Sequence, residues 1–146
     1  MTPSNLGPYR LLHLLGAGGM AEVFLALQRG PSGFQKLIVV KRLREGMGND
    51  PHFERMFLNE ARLAARLSHP NVVQTFEVGV EGRVHFIAME YLAGQPLNRV
   101  LQHAAKHPDA FPLAVRLQIV SDCLAGLDYA HSMTGFDGTP LRDRPP

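Results

Sequence analysis

Cys123 is the only cysteine in this chain of 146 residues, so no intrachain disulfide can form, which suits a reducing compartment. Tryptophan is absent, and no apolar run reaches the roughly 18 residues of a membrane-spanning helix. Lysine and arginine are scattered without a run of five or six and the net charge is only +2, so a nucleic-acid partner is not indicated. The start, Met1-Thr2-Pro3-Ser4-Asn5, lacks the basic-then-apolar pattern of a secretory leader. The seven histidines show no metal-ligand spacing, so no metal site is expected. Internal repeats and low-complexity tracts are also missing. A cytoplasmic, soluble protein is the expectation.

What is present is ordinary for one globular domain: 45% hydrophobic and 19% charged residues, on a chain long enough to bury a core. Its conspicuous stretch is Leu15-Gly16-Ala17-Gly18-Gly19-Met20-Ala21-Glu22-Val23. Residues 9–15 before it read as a strand. After it Val23, Leu25 and Leu27 recur every second residue, the period of a second strand. The turn between them is either an ordinary hairpin or a glycine flap whose backbone N–H groups can approach phosphates. A second turn at residues 29–33 leads to Lys36-Leu37-Ile38-Val39-Val40-Lys41-Arg42-Leu43, a β-branched third strand. Alternation puts Leu37, Val39 and Lys41 on one face, Ile38 and Val40 on the other.

Asp50-Pro51 predicts a helix start, with Asp as N-cap and Pro in the first turn. The helix is expected to run to about Leu67 with Phe53, Phe57, Ala64 and Leu67 on its apolar stripe. Glu60 falls on that stripe. It either pairs with a cation on a neighbouring element, because an unpaired buried carboxylate is costly, or sits at the stripe's edge in water. Strands are expected over residues 72–80 and 84–90, a short helix over 97–107, and a longer helix from Phe111-Pro112 to about His131. Leu113, Leu117, Val120, Leu124 and Leu127 mark the core face of that last helix, and Cys123 within it reads as a small packing residue.

The motifs stand in a register that resembles the amino-terminal lobe of a protein kinase, of the bacterial Ser/Thr type similar to eukaryotic kinases. Gly16 to Val23 matches G-x-G-x-x-G-x-V, with Ala21 for the third glycine; Ile38-Val39-Val40-Lys41 matches V-A-I-K, with Val39 for alanine. Glu60 follows Lys41 by 19 residues, where the family has its ion-pair glutamate. His69-Pro70-Asn71-Val72-Val73 matches the connection from that helix to the next strand. Met89-Glu90-Tyr91-Leu92-Ala93-Gly94 matches the hinge, and Leu127-Asp128-Tyr129-Ala130-His131 resembles the end of the family's long helix.

The resemblance implies an α+β fold: a five-stranded antiparallel sheet with one packed helix (residues 9–92), then the first helices of the carboxy-terminal lobe (93–133). Residues 1–8 are then a flexible start and 134–146 an irregular tail. It implies ATP as ligand. Gly16, Ala17, Gly18 and Gly19 would cover the phosphates, Lys41 would reach them, and Glu60 would hold Lys41. Leu15, Val23 and Val39 would enclose the adenine, Met89 would stand at the back, and Glu90 and Leu92 would read the adenine edge through their backbone.

Other family parts are not found. The catalytic-loop aspartate, its asparagine and the D-F-G aspartate that hold Mg²⁺ have no matching motif; Leu141-Arg142-Asp143 is the nearest string. The expectation is a kinase sequence cut short before its catalytic loop, inactive by itself, whose helix 112–131 offers an apolar face to a protein partner. Two alternatives remain: a pseudokinase-like binding module, and an NADP-binding βαβ unit with a helix over Glu22 to Gln28.

Overall fold

A computed structural model describes residues 5–44, 50–107 and 111–133. The chain divides into two compact units, Met1–Ser68 with Val73–Tyr91, and His69–Val72 with Leu92–Pro146.

The first unit is an antiparallel sheet with a helix. Its strands are β1 (Asn5–Leu6), β2 (Tyr9–Ala17), β3 (Ala21–Arg29), β4 (Gln35–Leu43), β5 (Thr75–Glu81) and β6 (Val84–Glu90), and helix α1 spans Pro51–Ala64. The spatial order is β1-β2-β3-β4-β6-β5. The sheet has one strand more than the five expected. Two-residue β1 has no periodicity to read; it is a strand because Leu6 pairs with Tyr9 and Asn5 with Arg10. β5 starts at Thr75 rather than near residue 72, because the Val72 N–H turns back to the His69 carbonyl (3.0 Å).

Alternation in β4 is realised as expected. Ile38 and Val40 are fully buried and pack with Leu6, Tyr9, Leu11, Ala26, Phe86 and Ala88. The Tyr9 and Phe86 rings meet edge-on, 5.7 Å apart. Gly79 on β5 is required there: a Cβ in its place would lie 2.5 Å from the Phe86 ring. The opposite face carries Ala21, Leu43 and Ile87, which pack with Phe57 and Ala61 of α1. Asp50 caps α1 as expected, accepting from the His52 N–H at 2.8 Å with Pro51 in the first turn. The helix ends at Ala64, three residues short of Leu67; of its expected stripe Phe57 is buried, together with Ala61 beside it.

β2 carries two irregularities. Leu11 pairs with Ala26 and His13 with Leu25; Leu14 pairs with Phe24 and Gly16 with Val23. Leu12 and Leu15 are thus extra residues on β2, which bend the strand just before the glycine turn.

In the second unit, α2 spans Leu97–Lys106 and α3 spans Leu113–Ser132. The Asn71 side chain donates to the Asp122 carbonyl at 2.9 Å, and His69 stacks on Tyr129 with centroids 5.1 Å apart. The His69 Nδ1 accepts from the Asn71 N–H (3.1 Å), closing a turn. The α3 stripe is not core: Leu113, Leu117, Val120, Leu124 and Leu127 are all more than half exposed. Cys123 is exposed as well, so it is not the packing residue that its place in the helix suggested.

Candidate functional site

Antiparallel register brings the candidate residues of the first unit onto one sheet face. Lys41 stands opposite Val23 on β3 and Ile87 on β6; Val39 stands opposite Leu25 and Met89. Val23, Val39, Lys41 and Met89 therefore share the face on which α1 packs. From α1, Glu60 reaches Lys41: Nζ and Oε1 are 2.5 Å apart. The fully buried Phe57 ring lies below, its centroid 6.0 Å from the Lys41 ammonium. At this edge of the cation-over-ring range the contact adds only a modest attraction.

The sequence weighed burial of Glu60 against an exposed edge position. Both halves of that choice hold. Glu60 is paired, yet its side chain is 47% exposed, while that of Lys41 is 21% exposed. The carboxylate lies at the open rim of the helix–sheet contact, so the pair is solvated from the Glu60 side.

Gly16 and Ala17 end β2, and Gly18 and Gly19 lie in the turn to β3, all exposed. The turn is closed by the Gly18 N–H donating to the Ala21 carbonyl (2.8 Å). None of Gly16, Gly18 and Gly19 adopts a left-handed conformation. A Cβ at Gly16 or Gly19 would meet nothing within 4 Å, and at Gly18 only the Ala21 carbonyl at 3.7 Å. The fold thus does not demand glycine here; the missing side chains leave free space along the backbone. That space, an ammonium held by a carboxylate, and an apolar wall from Val23, Val39 and Met89 lie together on this side of the sheet. Leu15, on the bulge, is 49% exposed. Leu92 belongs to the second unit.

Several contacts escaped the sequence reading. A second tether joins α1 to the sheet, with Glu54 Oε1 2.8 Å from His85 Nε2. The Glu90 carboxylate accepts from the Gln74 N–H (2.7 Å), while the Glu90 N–H donates to the Gln74 carbonyl (2.9 Å), so Glu90 is held twice at the end of β6. Both join elements far apart in sequence, and no local pattern announces them. Leu141-Arg142-Asp143 lies outside the described residues. The βαβ alternative is overturned, because Ala21–Arg29 is a strand antiparallel to β2 where that unit needs a helix.

A strand-turn-strand flap, a strand lysine and a helix glutamate on one antiparallel sheet define the nucleotide-binding lobe of a kinase. The comparisons agree: the protein kinase domain family matches residues 9–136, and the chain belongs to that family. It is 44% identical over 135 residues to the tyrosine-protein kinase MasK of Myxococcus xanthus, covering 92% of this chain and 21% of MasK. It is 36% identical over 131 residues to the serine/threonine-protein kinase PksC of Streptomyces coelicolor, covering 87% of this chain and 23% of PksC. The crystal structure of the Mycobacterium tuberculosis PknI kinase domain superposes with a TM-score of 0.64 at 32% identity, over 90% of this chain and 51% of that one. The chain thus spans about a fifth of the length of these curated relatives and half of a solved kinase domain. Among the described residues no helix is long and apolar enough to cross a membrane.

Proposed function

We propose that this chain is the ATP-binding part of a cytoplasmic Ser/Thr protein kinase, which as a whole moves the γ-phosphoryl group of ATP to a protein hydroxyl. One observation carries the reading: the Lys41–Glu60 contact on the sheet face behind an open glycine turn. In this reading backbone N–H groups along Gly16, Ala17 and Gly19 donate to phosphate oxygens, that of Gly18 being engaged by the Ala21 carbonyl. The Lys41 ammonium neutralises the α- and β-phosphates, and Glu60 keeps it from straying. Leu15, Val23, Val39 and Met89 enclose the adenine, and the Glu90 carbonyl reads its edge.

The groups that accept the hydroxyl proton and hold Mg²⁺ have no motif in these 146 residues. We therefore expect binding without transfer from this chain alone. Of the relatives, PksC is named for serine/threonine and MasK for tyrosine. Serine or threonine is the reading adopted, in line with further relatives such as PrkC of Bacillus subtilis and pkn3 of Myxococcus xanthus, both named as serine/threonine-protein kinases.

Calorimetric titration with ATP tests the reading. Saturable binding that Lys41→Ala abolishes supports it, and no binding by the wild-type chain overturns it. A second reading, a binding module that docks on another protein through α3, draws on the exposed Leu113 to Leu127 stripe. It predicts protein association unchanged by Lys41→Ala.

A further inference from the structure

Two arginines follow Lys41, and the structure gives them different tasks. Arg42 lies within β4, opposite Glu22; their side chains pair at 3.0 Å, and the guanidinium lies 4.8 Å from the Phe24 ring centroid. Arg44 lies one residue past the end of β4, so the strand pleat no longer dictates where its side chain goes. Its Nη1 donates to the Gly18 carbonyl at 3.2 Å, and its own N–H donates to the Met20 carbonyl at 2.9 Å. The turn that carries the glycines is thus held from outside at two of its carbonyls, both times by Arg44.

The side-chain bond has a directional consequence. In a trans peptide the carbonyl of one residue and the N–H of the next point opposite ways. The described residues contain no cis peptide. Fixing the Gly18 carbonyl on Arg44 therefore aims the Gly19 N–H away from Arg44. Glycine flanks this peptide on both sides, so its plane can rotate at little steric cost. A Cβ at Gly18 or Gly19 would find no close neighbour that blocks such a rotation. Its orientation is left to the hydrogen bond.

We propose that Arg44 is a positioning residue for the nucleotide: by clipping the Gly18 carbonyl it presets the Gly18–Gly19 peptide so that the Gly19 N–H is ready to receive a phosphate oxygen. The proposal rests on the ATP reading above, and it goes beyond it in naming a side chain outside the glycine motif that sets the donor direction.

The test uses the 146-residue chain in two arms. In the first, ¹⁵N relaxation of the Gly18, Gly19 and Met20 amides is measured without nucleotide in wild type, Arg44→Ala and Arg44→Lys. In the second, the same proteins are titrated with ATP and with adenosine, which has no phosphate. Arg44→Ala should loosen the Gly19 amide and weaken ATP about three- to tenfold, the scale of one ordinary hydrogen bond, with adenosine unchanged. Arg44→Lys, which keeps a charged donor, should restore most of both. A Gly19 amide as ordered in Arg44→Ala as in wild type overturns the proposal. So does an equal loss for ATP and adenosine. Failure of the wild-type chain to bind ATP sinks the nucleotide reading and with it the role proposed for Arg44, whereas the relaxation arm decides the clip independently.

Discussion

Lys41 on β4 and Glu60 on α1 meet at 2.5 Å across 19 residues of chain, with the carboxylate half open to water. A pair this exposed contributes about 0–1 kcal/mol to stability, because water screens it and ordering two long side chains costs entropy. Its place in the fold is better explained by what the ammonium does than by what the pair holds together. Lys41→Ala should accordingly shift the unfolding free energy by less than about 1 kcal/mol. The same change should cost at least about tenfold in ATP affinity, since in the proposed reading it removes the charge that faces the phosphates. Denaturant melts beside calorimetric titrations read the two effects separately. A large stability loss with unchanged affinity would make the pair structural.

Tyr9 gives the first unit a pH-sensitive contact. Burial, and then the hydrogen bond to the Glu77 carboxylate, raise the Tyr9 phenol well above its ordinary value of 10.0. The folded state thus holds this proton more tightly than the unfolded chain. The associated stability is complete below pH 10 and is lost as the pH climbs from there toward the raised value. Tyr9→Phe should flatten that alkaline loss, seen in urea melts between neutral pH and pH 11, while lowering stability at neutral pH by about 1 kcal/mol for the missing bond.

Gly79→Ala should be far more damaging than its single methyl suggests. The added Cβ would sit 2.5 Å from the Phe86 ring in the better-packed face of the sheet. Overpacking of this kind costs about 1–3 kcal/mol. Gly79→Ala combined with Phe86→Leu should recover part of the loss; additive losses in thermal melts would place the strain elsewhere.

The α3 stripe should make the chain sticky. Leu117 and Leu124 are each 60% exposed. Replacing both with glutamate should lower binding of a dye for apolar surface and raise the concentration at which the protein aggregates. Each change should move stability by no more than about 0.5 kcal/mol, as for other surface sites. Light scattering and dye fluorescence check this; a collapse of the fold would mean that the stripe is covered.

The sequence carried the parts of this structure that depend on local periodicity. The two-residue period of β4 predicted that Ile38 and Val40 would be buried together and Lys41 would face the other way. Asp50-Pro51 marked the start of α1 because a cap and a proline each satisfy a geometric need of the first turn. Periodicity was blind to partners. For α3 it marked an apolar stripe, and the expectation that this stripe is exposed came from the family resemblance rather than from the pattern. β1 exists only through its neighbour, and Val72, a good strand former, was drawn into the turn at His69 instead. At the site, the meeting of Lys41 with Glu60 was legible through the family resemblance, since the apolar stripe by itself left Glu60 either paired with some cation or at a solvated edge. The Arg44 hydrogen bond to Gly18 was not, because nothing in a string of residues says which carbonyl a long side chain past a strand end will find.

Gly16 and Gly19 satisfy no steric demand of the fold, having neither left-handed backbone nor crowding neighbours. Larger residues could therefore enter these two positions without the sheet registering the change. A descendant relieved of nucleotide duty would be free to accumulate side chains there long before its core showed any sign, which turns this short turn into a written record of whether the lobe still has work to do.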